Sequence, residues 1–234
     1  MDLAALRKIP QDQILVFDLE HTGEIRPELL QFSALWANGK EAINVYIKPI
    51  HAKKWPYTEP IHHITPAMVK DCPTIQKVKP LIKSVMEKAK VIVGFSMSDD
   101  FRVLKKNYVF LPSPEDCIYI DIAKPFNDLY ADTVEPGKRR TTKSLKTCAD
   151  YYGVHGDNWH NSMADALATA KCFHRMLANG DLAYVSQRKG DTTEKPKSLQ
   201  PKMKGSKTRR KDKNRRDGRK RRRIRENQYM NEES

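Results

Sequence analysis

The sequence lacks the features that mark membrane, secreted and zinc-binding proteins. No stretch of about 18 consecutive apolar residues occurs in the chain, so no membrane-spanning helix is predicted. The N-terminal residues have no apolar core of the kind found in secretory signals. The 4 cysteines are far apart, without a CxxC pair or a histidine at zinc-finger spacing. This excludes a disulfide framework and a zinc finger, and predicts a soluble, cytoplasmic protein with reduced thiols.

Positive charge is plentiful, but it is concentrated near the C-terminus. The 234 residues include 43 Lys and Arg against 29 Asp and Glu, a net charge of +14. Residues 188–225 hold 19 of the basic residues and residues 191–233 hold 7 of the acidic ones, so this end carries +12 and the rest +2. A solvated charge run is one interpretation. We favour a polyanion-binding arm, because so much like charge repels itself unless a polyanion binds it. Such an arm binds nucleic acid without sequence preference.

The apolar residues divide the chain at nearly the same place. Hydrophobic residues make up 39% of the sequence, and their periodic spacing almost stops after Gly180. We therefore expect one globular domain over residues 1–180, which is long enough to bury a core. Residues 181–234 are expected to form a basic tail that is disordered when free, since too little apolar surface remains to offset chain entropy.

Local patterns predict an α/β fold with a mixed sheet. Predicted strands cover residues 14–20, 29–36, 42–47, 91–94 and 117–122. Predicted helices begin at Pro66 and at Ser98 and cover residues 74–90, 144–152 and 163–177. Asn38-Gly39 indicates a tight hairpin turn between the second and third strands. The order predicts a three-stranded antiparallel meander, extended by parallel crossover strands and flanked by helices.

Two carboxylates lie at the end of the first predicted strand. Asp18 and Glu20 are two residues apart, so their side chains point to the same face. Carboxylates this close repel each other unless a cation joins them or one stays protonated. Hard cations such as Mg²⁺ or Mn²⁺ prefer these ligands. A strand end that reaches solvent is the simpler interpretation, and the pair alone does not exclude it.

Further acidic residues and a histidine occur at the starts of two predicted helices. Asp99 and Asp100 lie in the first turn of the helix after the fourth strand, and His160 and Asp165 bracket the start of the last helix. Helix capping and a favourable interaction with the helix dipole are the ordinary explanations for such acids. Each feature is weak alone, but their order along the chain is specific.

That ordered set resembles the DEDDh 3′–5′ exonucleases, which include proofreading subunits of bacterial replicative polymerases, ribonuclease T and oligoribonuclease. Residues 17–23, Phe-Asp-Leu-Glu-His-Thr-Gly, are similar to the first family motif. Residues 93–104 resemble the second, and residues 160–166, His-Asn-Ser-Met-Ala-Asp-Ala, the third. The connectors at 61–65 and 143–145 are also similar. The resemblance covers about residues 12 to 178 and implies a ribonuclease-H-like fold.

The sequence departs from the family pattern at a few positions. His21 stands where Thr is frequent, and Phe95-Ser96 replaces a common His-Asn pair. Aligned on the apolar ends of the second motif, the family aspartate falls on Asp100, and Asp99 occupies a place usually held by Phe. The resemblance makes none of these altered positions a metal ligand. It implies that substrate is contacted by His21, Thr22, Phe95 and Ser96.

The resemblance also implies a catalytic arrangement built on two divalent cations, Mg²⁺ or Mn²⁺. Asp18 would bridge both ions, and Glu20 and Asp165 would hold the ion beside the attacking water. Asp100 would help position the second ion. His160 would act as the general base, because imidazoles exchange protons near neutral pH.

The expected activity is therefore 3′–5′ hydrolysis of DNA in proofreading or repair trimming, releasing nucleoside 5′-monophosphates. Single-stranded DNA or a DNA 3′ end is the expected substrate, a DNA polymerase is a candidate partner, and the tail is expected to bind polyanions. Trimming of RNA 3′ ends is the alternative within the same chemistry. A non-catalytic nucleic-acid-binding factor on an exonuclease fold is the alternative from another class.

Overall fold

The computed structural model describes residues 2–23 and 25–184. The predicted tail falls almost wholly outside these residues, so the expectations of disorder and polyanion binding stay predictions. Directly after residue 180 the chain still packs on the domain: Asp181–Ala183 form a 3-10 helix, in which Leu182 is buried and the Asp181 carboxylate accepts a hydrogen bond from the hydroxyl of Tyr152 at 2.9 Å.

The described residues form a five-stranded mixed sheet. Its strands are β1 (Ile14–His21), β2 (Leu29–Trp36), β3 (Glu41–Tyr46), β4 (Val91–Gly94) and β5 (Ile118–Asp121). The spatial order is β3-β2-β1-β4-β5. The first three strands pair antiparallel, whereas β4 pairs parallel with both β1 and β5. The predicted meander with parallel crossover strands is confirmed.

Eight α-helices accompany the sheet in the described residues. They are α1 (Leu3–Arg7), α2 (Glu59–His62), α3 (Pro66–Val69), α4 (Ile75–Met86), α5 (Met97–Lys106), α6 (Ala123–Thr133), α7 (Leu145–Tyr151) and α8 (Ser162–Asn179). Sequence patterns predict five of these, α3, α4, α5, α7 and α8, but not α1, α2 or α6. None of the helices in this part of the chain is long and apolar enough to cross a membrane.

The sheet separates two hydrophobic cores because neighbouring side chains of β1 point to opposite faces. Ile14 and Val16 pack in one core with apolar residues of α8. Leu15 and Phe17 pack in the other core with residues of α4 and α5. The helices therefore cover both faces, as a sheet with buried parallel strands requires.

The sequence predicts Ser98 as the N-cap of α5, and this is wrong by two residues. The helix begins at Met97, so Ser98 lies inside it and does not cap it. Ser96 occupies the cap position, with a left-handed φ of 62° and no hydrogen bond from its side chain to the helix. The Asp121 carboxylate supplies the cap from β5, accepting the backbone N–H groups of Ser96 at 2.8 Å and Met97 at 3.0 Å. A local sequence pattern cannot predict a helix cap that is supplied by a residue of another strand.

Candidate metal centre

Three carboxylates from two distant segments meet at the end of β1. Asp18 and Glu20 continue the face of β1 that carries Ile14 and Val16, on which α8 packs. Asp165 lies in the first turn of α8. One oxygen from each of Asp18, Glu20 and Asp165 lies within 4.8 Å of the others. This group of three is called the acid cluster below.

A polar network beneath the cluster fixes the start of α8 on the sheet. The buried hydroxyls of Ser33 on β2 and Ser162 on α8 lie 2.6 Å apart, and Ser33 donates to the Asn44 side-chain oxygen on β3 at 3.0 Å. Ser33 pairs directly opposite Asp18 across the β1–β2 ladder. Asn161 caps α8, since its side-chain oxygen accepts the N–H groups of the next turn. The sequence patterns did not identify this network, which links residues 129 positions apart.

Burial and mutual repulsion favour the protonated forms of these acids. Burial, followed by the nearby charges of Asp100, Glu20 and Asp165, raises the pKa of Asp18 well above its ordinary value. Burial, together with the charges of Asp165 and Asp100, raises the pKa of Glu20 to about 8. Burial also raises the pKa of Asp165, although the neighbouring His160 opposes this. Acids in this state release their protons readily when a cation takes the site.

The environment of Asp165 tests whether a cation fits. Its Oδ2 accepts the backbone N–H of His160 at 3.1 Å, whereas its Oδ1 is buried and has no hydrogen-bond partner among the described residues. A buried carboxylate oxygen without a partner is costly. The orphaned oxygen and the all-carboxylate donor set both match a hard divalent cation. The residues present therefore fit a metal.

The structure separates the two adjacent aspartates of α5. Asp100 lies near enough to raise the pKa of both Asp18 and Glu20. Its own pKa is raised to about 8, first by burial and then by the charges of Asp99 and Asp121. Asp99 points elsewhere and is half exposed, pairing with Arg102 at 2.6 Å. Asp100, and not Asp99, thus lies beside the acid cluster, although it is outside the group of three whose oxygens lie within 4.8 Å of one another.

His160 stands directly before the helix that carries Asp165. Its backbone is left-handed, with a φ of 64°, which directs its N–H to the Asp165 carboxylate. Its charge, when present, lowers the pKa of Asp165, so the ring lies within electrostatic reach of the cluster. The base role predicted for His160 stays a prediction.

The four residues expected to contact substrate are placed around the ends of β1 and β4. The Nδ1 atom of His21 accepts the Gly23 N–H at 3.1 Å, so Nε2 carries the proton and donates to the Asp99 carboxylate at 3.2 Å. The Thr22 hydroxyl accepts the N–H of Glu28 at 3.0 Å. His21 is therefore bonded to the other unusual residue, Asp99.

The other two positions of this set lie between β4 and α5. Phe95 is partly buried against the core under α8, and Ser96 holds the left-handed residue at the start of α5. Their predicted contact with substrate is not tested by these positions. Their placement beside Asp100 is consistent with the prediction.

His62 is a polar residue of this region to which sequence reasoning gave no role of its own. It is only 6% exposed, its Nδ1 accepts the Ile64 N–H at 3.0 Å, and its Nε2 has no hydrogen-bond partner among the described residues. Burial lowers its pKa to about 4, and the charges of His21 and His160 add to this. The ring is therefore neutral at physiological pH. The sequence marked this residue through the connector motif at 61–65 and as one of a histidine pair, for which a structural role is the more common explanation.

Residues 15–173 match the profile of the RNase_T family, described as exonuclease. The PolC-type DNA polymerase III of Caldanaerobacter subterraneus subsp. tengcongensis is 26% identical over 172 residues, which is 71% of this chain. The match spans only 12% of that polymerase.

Solved structures show the same fold at low identity. Exonuclease I superposes with a TM-score of 0.60 at 20% identity, covering 72% of this chain and 42% of its own. A 3′-exonuclease that recognises the 3′ end of histone mRNA stem-loops superposes with a TM-score of 0.55 at 18% identity, covering 76% of this chain and 70% of its own. These likenesses establish the architecture, including the mixed sheet with helices on both faces.

Proposed function

The chain belongs to the RNase_T exonuclease family, of the DEDDh type and with a ribonuclease-H-like fold, and we propose that it removes nucleotides from the 3′ end of DNA. One observation carries the proposal. Carboxylates from β1 and α8 that are partly or wholly buried have oxygens within 4.8 Å of one another, and one oxygen of Asp165 has no hydrogen-bond partner among the described residues. A domain that only bound nucleic acid would gain nothing from this costly arrangement.

The acid cluster would hold two divalent cations, Mg²⁺ or Mn²⁺. Asp18 would contact both, Glu20 and Asp165 would hold one, and Asp100 would help to hold the other. Bound divalent cations neutralise charge on phosphate oxygens and favour the deprotonation of water. Together with Asp100, the cluster would keep four carboxylates fixed at the position of the scissile phosphate.

His160 would move the proton of the reaction. Water attacks the phosphorus, the bond to the 3′-oxygen breaks, and the products are a nucleoside 5′-monophosphate and a strand with a new 3′-hydroxyl. A side chain must accept the proton that the attacking water loses, and histidine is suited to this near neutral pH. Its backbone bond to the Asp165 carboxylate keeps the residue beside the cluster.

The match to a DNA polymerase favours DNA over RNA and supports proofreading or repair trimming as the context. Because the chain corresponds to a small part of that protein, association with a polymerase is a proposal of ours. The cytoplasmic location predicted from the sequence is likewise proposed, with Cys72, Cys117, Cys148 and Cys172 unpaired as in a reducing compartment.

The basic tail is proposed to raise the local concentration of substrate. Its charge of +12 supports this, because phosphate contacts release counterions. Removing residues from 188 onward should weaken DNA binding at low salt and flatten its salt dependence, while cleavage of short oligonucleotides persists. Unchanged binding over a salt series would show that the tail has another role.

The deciding experiment uses single-stranded DNA and RNA of equal length and sequence, labelled at the 3′-terminal nucleotide. With Mg²⁺ or Mn²⁺ we expect release of labelled 5′-monophosphate, faster from DNA, and its loss on chelation. Faster release from RNA would assign the chain to RNA trimming. Binding without release in any divalent cation would leave a nucleic-acid-binding protein and reject the enzyme.

A further inference from the structure

A second surface lies at the C-terminal end of α5 and includes no residue of the acid cluster. A cavity of about 320 Å³ opens there between the loop after β1, helix α4 and the residues that follow α5. We call it the Tyr108 surface and define it by the five residues that carry the argument. These are Ile25, Arg26, Lys79, Lys106 and Tyr108.

Tyr108 is an unusual residue for its position. It directly follows the C-cap of α5 with a left-handed φ of 54°, and the Val109 N–H closes the helix end on the Leu104 carbonyl at 3.0 Å. Glycine or asparagine normally occupies such a position, because other side chains are strained there. The ring is also 85% exposed. The chain thus tolerates both backbone strain and an exposed aromatic ring, which points to a function for that ring.

Two lysines one helical turn apart on α4 flank exposed rings. The Lys79 ammonium lies 5.5 Å from the centroid of Tyr108, and the Lys83 ammonium lies 5.2 Å from the centroid of Phe110. Lys83 also pairs with Glu87 at 3.5 Å. Positive charge set beside aromatic faces offers both phosphate contacts and stacking platforms to an unpaired strand.

The balance of charge at the cavity is positive. Arg26, Lys79 and Lys106 line it, and Glu28 is the single acid among the described residues of its lining. Both carboxylate oxygens of Glu28 accept backbone N–H groups of residues 50–52, so its charge is satisfied within the protein. A polyanion would therefore meet little repulsion at this surface.

A short stretch of α5 separates the surface from the acid cluster. Asp100 and Tyr108 are eight residues apart along α5, about 12 Å at 1.5 Å per residue. The loop that carries Arg26 is tied at its base by the 3.0 Å bond between Thr22 and Glu28, two residues beyond Glu20. A strand whose end lay at the cluster could reach Tyr108 within a few nucleotides.

We infer that the Tyr108 surface binds single-stranded nucleic acid, with a base stacked on Tyr108 and phosphates beside Lys79 and Arg26. The nucleotides on the 5′ side of the hydrolysed 3′ end would lie on this surface. The placement of that end rests on the proposed function; the binding itself does not.

The test measures binding of the full-length protein to a 5′-fluorescein 12-nucleotide oligo(dT) by anisotropy, in EDTA so that no hydrolysis occurs. In Tyr108→Gly we expect the Kd to rise at least about fivefold, because a stacked base is lost. The melting temperature should stay the same or rise, since glycine relieves the left-handed strain. Tyr108→Trp should restore binding, because it keeps an aromatic face.

A matched pair of charge reversals separates this surface from general electrostatics. Lys79→Glu and Lys171→Glu change the net charge equally, but Lys171 is exposed on α8, on the other side of the sheet. Only Lys79→Glu should weaken binding beyond the common effect and flatten the slope of log K against log salt by about 0.7 for each lost phosphate contact.

Equal affinities of wild type, Tyr108→Gly and Tyr108→Trp would overturn the inference, as would equal losses in the two lysine variants. Displacement of the oligonucleotide by poly-glutamate from wild type but not from Tyr108→Gly would assign the surface to an acidic protein and also overturn it. Cleavage by the wild-type protein is measured separately. An inactive protein whose binding depends on Tyr108 would reject the proposed function and keep the surface.

Discussion

The two ends of helix α5 differ in how far their ionisable side chains are shielded from water. At the first turn, Asp100 joins buried acids whose pKa values are raised by lost hydration. At the last turn, Lys106 is exposed and keeps its water. Acids at the start and bases at the end of a helix also suit its dipole, so the signs of the charges alone show little. The burial of its acids identifies the N-terminal end of α5 as a functional site. The strained, exposed Tyr108 identifies the C-terminal end as a second one.

The largest effect is expected at Asp18, which is proposed to contact both cations. Asp18→Asn should lower kcat by about 1,000-fold or more, because one ligand shared by both proposed cations is lost. Its metal-free form should be as stable as the wild type or more so, since a repelling acid is removed. Activity is measured by monophosphate release and stability by thermal melting. Asp12→Asn, at an exposed position, is the control and should leave both unchanged.

If Asp18→Asn turned over substrate at the wild-type rate, in protein free of contaminating nuclease, the acid cluster would not be the catalytic site. By contrast, Tyr108→Gly should raise KM for long strands and leave kcat nearly constant. An equal fall of kcat in both variants would erase the distinction between the two ends of α5.

The next largest effect on kcat is expected at His160, which lies beside Asp165. His160→Asn should reduce kcat by about 100-fold, since general-base assistance is lost. Asparagine tolerates the left-handed backbone of this position, so the fold should persist. Calorimetric titration with Mn²⁺ should show unchanged metal affinity. Loss of metal binding in this variant would instead indicate that His160 is a ligand.

A comparison within the first turn of α5 tests the choice between its two acids. Asp100→Asn should lower kcat by tens of fold, because it removes a buried charge beside Asp18. Asp99→Asn should lower it by less than about threefold, as it removes only a hydrogen bond from His21 and an ion pair with Arg102 at a half-exposed carboxylate. Steady-state kinetics of the two variants would reveal a reversed order if the alignment of the second motif were wrong.

The smallest effect is on stability. In the folded, metal-free protein Glu20 and Asp100 keep their protons up to about pH 8, whereas the unfolded chain loses them near pH 4. The folded state thus binds more protons, and stability falls as pH rises through this range. His62, with its pKa lowered to about 4, acts in the opposite direction below about pH 6.5.

The range from pH 6.5 to 8 therefore separates the effect of the acids on stability from that of His62. We expect the melting temperature in EDTA to fall across it, Mg²⁺ to reverse the fall, and Glu20→Gln to reduce it. A flat profile in EDTA would mean that the cluster is hydrated well enough to ionise without a cation.

The two regions also differ in how far sequence alone predicted them. The shared face of Asp18 and Glu20 follows from the two-residue period of a strand, and the ordered motifs linked them to Asp165. The Tyr108 surface has no motif, because a left-handed tyrosine is visible only once α5 has a defined end. The contact of Ser33 with Ser162 joins distant segments, which no local pattern encodes.

The missed helices have a similar physical origin. Helix α6 carries Pro125 within its first turn and begins one residue after β5 ends, with Ile122, the last residue of the predicted strand, at its cap position. Helix α2 is only four residues long and contains a proline. Short segments of this kind take their conformation mainly from packing against the rest of the chain.

The central claim is that the acid cluster binds divalent cations. Crystals of the full-length protein soaked in Mn²⁺ and measured near the manganese absorption edge test it directly. The account predicts an anomalous peak in contact with oxygens of Asp18, Glu20 and Asp165, including the Asp165 Oδ1 that has no hydrogen-bond partner among the described residues. A protein that cleaves DNA in Mn²⁺ but shows no peak among these three carboxylates would contradict it.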